Sequence, residues 1–169
     1  MTYADRAVVR ARAWLMARSD TSSIAGGRLP TIPGPDAVAP WEVRSVWPGG
    51  FIEGVEVRRG QVEPGRAVVW VRTPIPLVAG EPVGAASRFA GLLDIANGMT
   101  VRADPREVLF PNIDLTAHLF RRPEGAWAGF DITVTFGADG IGLTSSVLHD
   151  VTGPLGTQAQ LLTLRPRRP

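Results

Sequence analysis

Asp94 is the residue of this chain best placed to do chemistry. It is the only acid in the body of the amphipathic helix expected over Pro82–Asn97, past that helix's first turn. At 3.6 residues per turn it shares a stripe with Ser87 and Gly91, and Gly84 lies close to the same line. A carboxylate at the end of a run of small side chains can orient a water, or take its proton, beside a ligand lying in the groove those residues leave open. On the wet face of the helix the same residue would be an ordinary solvated acid. Its place near a helix C-terminus sets it against the macrodipole, which costs stability and favours a use for it. A second polar set is Asn112, Asp114, Thr116 and His118, alternating with Ile113, Leu115, Ala117 and Leu119. A strand there would carry all four on one face. Cross-strand pairing on a solvated face accounts for that pattern without chemistry.

Several other chemistries are excluded. The 169 residues contain no cysteine, so there is no disulfide framework, thiolate metal site or thiol nucleophile, and a reducing cytoplasm is the expected compartment. All 18 basic residues are arginine, which removes any Schiff-base lysine and leaves nothing to titrate near pH 10. The isoelectric point near 10.3 is therefore misleading, because the formal net charge is only +2. Arginine is scattered except in the short basic tail around Arg165, Arg167 and Arg168, so no nucleic-acid partner is expected. Gly142 to Ser146 does not form a G-x-S-x-G elbow, and no phosphate-binding glycine motif occurs. His118 and His149 stand on separate expected strands without ligand spacing, so neither a metal nor another cofactor is expected. No signal-like apolar stretch opens the chain and nowhere do about eighteen apolar residues run together, so no membrane association is expected.

The elements that would position Asp94 follow from periodicity. Val9, Ala11, Ala13, Leu15 and Ala17 alternate with arginines, which favours a strand over Arg6–Arg18. Residues 20–50 are rich in proline and glycine and read as an irregular connector, pinned down by Trp41, Val43, Val46 and Trp47. A hairpin is expected next, with strands near Gly54–Arg59 and Ala67–Thr73 joined at Glu63-Pro64-Gly65. The helix follows, with Pro82 at its start and Asn97-Gly98 as a left-handed C-terminal cap. After it come strands only. Phe130, Ile132, Val134 and Phe136 alternate with Asp131, Thr133 and Thr135, and Asp139-Gly140 reads as a two-residue hairpin turn into Ile141–Val151. The run Thr152–Gly156 turns the chain into a last strand near Thr157–Arg165. One helix followed by an antiparallel meander buries its apolar face when the sheet curls around the helix. That is an α+β hotdog fold, with five to six strands wrapped around one long helix over residues 51–166.

Five stretches carry a family resemblance: Leu93–Gly98, Phe110–Thr116, Arg121–Trp127, Gly142–Asp150 and Gly153–Gly156. Together they resemble the TesB-like acyl-CoA thioesterases, at the second of the two hotdogs such enzymes carry. By the same likeness, residues 1–19 look like the last strand of an absent first hotdog, residues 20–50 like the inter-domain connector, and residues 167–169 form a basic tail. The resemblance implies hydrolysis of an acyl-CoA or similar thioester, with Asp94 as a catalytic aspartate and a groove past Ser87 and Gly91 for the substrate. The family's hydroxyl position falls on Asn112, which can still donate a hydrogen bond. Its glutamine position falls on Leu148 or, with a slip of one residue, on His149. Thr116 and His118 are further candidates for substrate contact. With leucine in place of the amide, the alternative is a non-catalytic module that binds acyl thioesters. The related hydratases pair an Asp with a His five residues on, where this chain has Met99. An exposed sheet edge and helix flank lead to the expectation of a homodimer.

Overall fold

The computed structural model describes residues 2–167. At the amino end Thr2–Tyr3 (β1) and Arg6–Ala7 (β2) pair only with each other. Residues 8–21 form no regular element and lie exposed. The strand expected over Arg6–Arg18 thus shrinks to Arg6–Ala7. Alternation marks a strand only where a ladder forms, and residues 8–18 belong to no strand of the described sheets.

The connector is tied down along its length. The indole of Trp70 donates to Pro33 O at 2.8 Å, and an isolated bridge joins Pro40 to Arg58. The Trp41 amide donates to Val57 O and the Arg59 amide to Ala39 O, each at 2.9 Å, so the connector runs along the free edge of the first long strand. The Arg59 guanidinium lies 3.6 Å above the Trp41 ring, and Val43 enters the core. A short helix, Gly50–Glu53 (α1), ends this segment.

Glu56–Glu63 (β3) and Arg66–Arg72 (β4) form the expected hairpin, with Gly65 in the left-handed region at φ +83°. The main helical stretch then runs from Ala85 to Met99 in three pieces: Ala85–Ala90 (α2), a 3-10 turn at Leu93–Ile95, and Ala96–Met99 (α3). Phe89, Leu92, Ile95, Ala96 and Met99 are its buried residues, a helical stripe facing the sheet. The expected cap at Asn97-Gly98 does not form. Gly98 lies inside the last turn and lacks positive φ. It is small for another reason, since a Cβ there would come 3.3 Å from Nε1 of Trp47, whose N–H donates to Gly98 O at 2.7 Å.

Val108–Leu109 (β5), Thr116–Leu119 (β6), Ala128–Phe136 (β7), Ile141–Asp150 (β8), Gly153–Thr163 (β9) and Arg165–Pro166 (β10) complete the chain. Six strands form one antiparallel sheet in the order β3-β4-β7-β8-β9-β6. Phe130, Ile132 and Val134 face the helix while Thr133 and Thr135 face out, as the alternation requires. This is the α+β hotdog arrangement. The turn at Asp139-Gly140 differs in detail. Gly137 pairs with Ile141, leaving the three residues 138–140 in the loop with Gly140 at φ +79°, so the glycine serves a bulged three-residue turn. Strand β9 begins at Gly153, earlier than Thr157, because Asp150 pairs with Gly153 across a two-residue turn. Of the basic tail, Arg167 is described; residues 168 and 169 lie outside the described part.

Candidate active site

Asp94 sits in the 3-10 turn of the main helix, exposed at the edge of a cleft of about 630 Å³. Its Oδ1 accepts two amide hydrogen bonds, from Asn112 Nδ2 at 2.7 Å and from Gln160 Nε2 at 3.1 Å. A carboxylate only accepts, so both amides must turn their NH2 groups toward it. Gln160 Nε2 also lies 3.3 Å from Asp94 O, and Gln158 Nε2 donates to Leu93 O at 3.1 Å. Asn97 Nδ2 reaches Asn112 Oδ1 at 3.4 Å, bracing the asparagine. Among the described residues Asp94 Oδ2 has no partner and is free to meet water or a ligand.

Three elements distant in sequence make this cluster: the helix, the segment before β6, and β9. Gln158 and Gln160 lie on the inner face of β9, buried under the helix, opposite Ser146 and Thr144 of β8. Among the described residues the Oε1 atoms of both glutamines and the hydroxyls of Thr144 and Ser146 have no hydrogen-bond partner. A buried acceptor left unpaired costs about 1–3 kcal/mol. An apolar strand would be more stable here, so the amides are held at the expense of stability.

The polar row expected on one strand face is split. Asn112 bridges Leu162 and Ile113 N donates to Leu161 O, yet Thr116 pairs with Ala159 and His118 with Thr157. The register slips by one residue between these pairs, and a slip of one turns every later side chain to the other face. Asn112 therefore points inward to Asp94, while Thr116 and His118 share the outer face with Ala159 and Thr157 and are not brought to the cleft. Asp114 accepts from Leu161 N at 2.9 Å and ties down the strand entrance. Gly91 lines the cleft, whereas Ser87 is exposed on α2 and does not.

His149 does not join Asp94 either. Leu148 pairs with Phe130 on the inner face, so His149, opposite Gly129, points outward. Its Nε2 lies 2.9 Å from Pro30 O and its Nδ1 3.1 Å from Val147 O, which makes it a buried pin for the connector. The amide that meets the carboxylate is Gln160, one strand later than the position expected at Leu148 or His149. Its signal in the sequence was Gln158 and Gln160 standing two apart in a strand where apolar side chains would be expected inside.

A family model described as acyl-CoA thioesterase C-terminal domain matches residues 35–164. The chain belongs to this thioesterase family. Among solved structures it is similar to a putative thioesterase from Novosphingobium aromaticivorans, with 25% identity over 88% of this chain and 58% of that one, at a TM-score of 0.59. It is also similar to the acyl-CoA thioesterase II TesB2 from Mycobacterium marinum, with 20% identity, 89% and 60% coverage and a TM-score of 0.61. A hot dog fold protein from Alicyclobacillus acidocaldarius gives 18% identity, 90% and 59% coverage and a TM-score of 0.62. The thioesterase-family chain thus spans a little under two thirds of the length of these relatives. A search of curated proteins returns no sequence match. No helix among the described residues is long and apolar enough to cross a membrane.

Proposed function

We propose that the chain hydrolyses acyl-CoA or a similar acyl thioester, with Asp94 as the residue that orients and deprotonates water. The observation carrying this reading is the convergence of Asn112 and Gln160 on one oxygen of a carboxylate at the lip of a cleft, with the second oxygen free. Two amide bonds to Oδ1 hold the exposed carboxylate, which leaves Oδ2 to accept from water. Water loses a proton to Oδ2 as its oxygen bonds to the thioester carbonyl carbon. The carbonyl oxygen becomes an oxyanion. The second N–H of Asn112 is available to donate to it, since its contact to Asp114 O is long at 3.4 Å. Collapse breaks the C–S bond, and the departing thiolate takes the proton back from Asp94. The products are a carboxylic acid and a free thiol.

The non-catalytic alternative was prompted by leucine standing in place of an amide. Gln160 supplies an amide to Asp94 from β9, so hydrolysis is the preferred reading. Asn112 in place of a hydroxyl residue keeps a donor at that position. The chain acts as a homodimer in this reading, because β6 is an open sheet edge flanked by the exposed Ile113, Leu119 and Phe120. Residues 20–50 then serve as a linker laid along the edge of β3, and the absence of cysteine suits a cytoplasmic setting. The direct test is release of free CoA from acyl-CoAs of graded chain length by the pure protein. Release lost in Asp94→Ala supports the reading, and no release at any length from folded protein retires it.

A further inference from the structure

Four polar side chains form a patch on the buried face of the sheet, beneath the turn that carries Asp94. Thr144 and Ser146 stand two residues apart on β8, and across the ladder they pair with Gln160 and Gln158 of β9. All four are buried, Thr144 and Gln160 at 0% exposure. Directly opposed side chains start about 4.5–5.5 Å apart at Cβ, so their polar ends reach into one shared space. Each glutamine turns its Nε2 to the helix, Gln160 to Asp94 and Gln158 to Leu93 O. Its Oε1 is left for the patch, and among the described residues neither Oε1 nor either hydroxyl has a partner. The neighbours on the same face, Ile132, Val134, Leu148 and Leu162, are apolar. Valine has the branched shape of threonine without the hydroxyl, so packing alone gives no reason for Thr144. The donors and acceptors of the patch match, since two hydroxyl hydrogens face two amide oxygens and a hydroxyl also accepts. None of these pairs lies within hydrogen-bond distance, a gap that a single water spans. A buried water needs about two to four polar partners, and this patch supplies them.

We propose that the patch is a site for bound water, and that through this water the Thr144 hydroxyl holds the Gln160 amide with its NH2 on Asp94. The hydroxyl donates to the water and the water donates to Gln160 Oε1. Thr144 is thus a positioning residue, touching neither the carboxylate nor the substrate. An amide held by its nitrogen alone can turn over, and turned over it sets Oε1 against the carboxylate. A donor on Oε1 removes that freedom. Ser146 acts in the same way on Gln158, whose amide supports Leu93 O in the 3-10 turn. Bound water also accounts for polar side chains in the core, because it gives partners to atoms that the protein leaves unpaired. The effect on turnover rests on the acyl-thioester reading. The holding of the amide does not.

The test compares the full wild-type chain with Thr144→Val and Thr144→Ser, by NMR and by hydrolysis. In wild type the Gln160 side-chain NH2, assigned by its loss in Gln160→Leu, is expected to exchange slowly with solvent and to show cross-relaxation from a long-lived water. In Thr144→Val that water signal disappears and the exchange is about tenfold faster, while Thr144→Ser keeps both features. In the hydrolysis assay Thr144→Val is expected to lower kcat about tenfold with KM unchanged, the worth of one ordinary hydrogen bond, and to add nothing in a Gln160→Leu background. Melting confirms that valine leaves the fold intact. Unchanged amide exchange or full turnover in Thr144→Val, the same loss in Thr144→Ser, an additive loss in the double variant, or a wild type without the water signal would each overturn the proposal. A wild type that shows the water and the slow amide yet releases no CoA would sink the hydrolase reading alone.

Discussion

Gln160 is fully buried, donates to a carboxylate and leaves its own carbonyl oxygen unpaired. Replacing it with leucine removes a misplaced polar group from the core and a donor from the site. Gln160→Leu is therefore expected to lower kcat by about 10² through loss of the carboxylate's positioning, while leaving stability unchanged or slightly raised. Thermal melting beside a hydrolysis assay separates the two effects. At this scale the meeting of Asp94 and Asn112 was legible, because helix periodicity singled out the acid and the family resemblance pointed to the asparagine. The contact of Gln160 with Asp94 was not, because the resemblance pointed to the strand before it. That Thr116 and His118 lie away from the cleft was not legible either: one residue of register slip between Ile113 and Thr116 is invisible to a pattern of period two.

Among elements, the clasp between the loop before β7 and the β8–β9 turn carries the clearest stability expectation. Arg121 meets Asp150 in a bidentate pair at 2.6 and 2.8 Å and also donates to Gly153 O and Pro154 O. Burial alone would push the Asp150 carboxyl up, but Arg121, the Thr152 hydroxyl and the N–H groups of Glu124 and Thr152 outweigh it and hold the value at about 2. A carboxyl depressed in the folded state adds stability that is complete above its unfolded value, about 3.9, and is lost as pH falls toward 2. The melting temperature is expected to drop over that acid window, and Asp150→Asn to flatten the drop. Arg121→Gln leaves a buried carboxylate unpaired and is expected to cost about 3–5 kcal/mol in chemical denaturation. Leu92→Ala, under the helix, is expected to cost about 2–5 kcal/mol. The apolar helix stripe and the β7 alternation were readable because burial enforces them. The breaks in the helix were not, since Gln158 and Gln160 meet the backbone of the 3-10 turn from a distant strand, and neither the bulged turn at Gly140 nor the shortened strand at Arg6–Ala7 follows from alternation alone.

For the whole molecule, one helix followed by strands was enough to indicate a sheet wrapped around it, and the family match over residues 35–164 agrees. The proposed pairing through β6 gives a sedimentation mass of two chains, reduced to one by charges introduced together at Leu119 and Phe120. Everything functional depends on whether the carboxylate held by two amides turns over a thioester. The most direct measurement is the rate of free thiol production from a graded set of acyl-CoAs by wild-type protein and Gln160→Leu in parallel. The account expects steady turnover by the former and loss of about two orders of magnitude by the latter at equal or slightly higher melting temperature. Undiminished turnover in the leucine variant, or a folded wild type that liberates no thiol from any of the set, would contradict it.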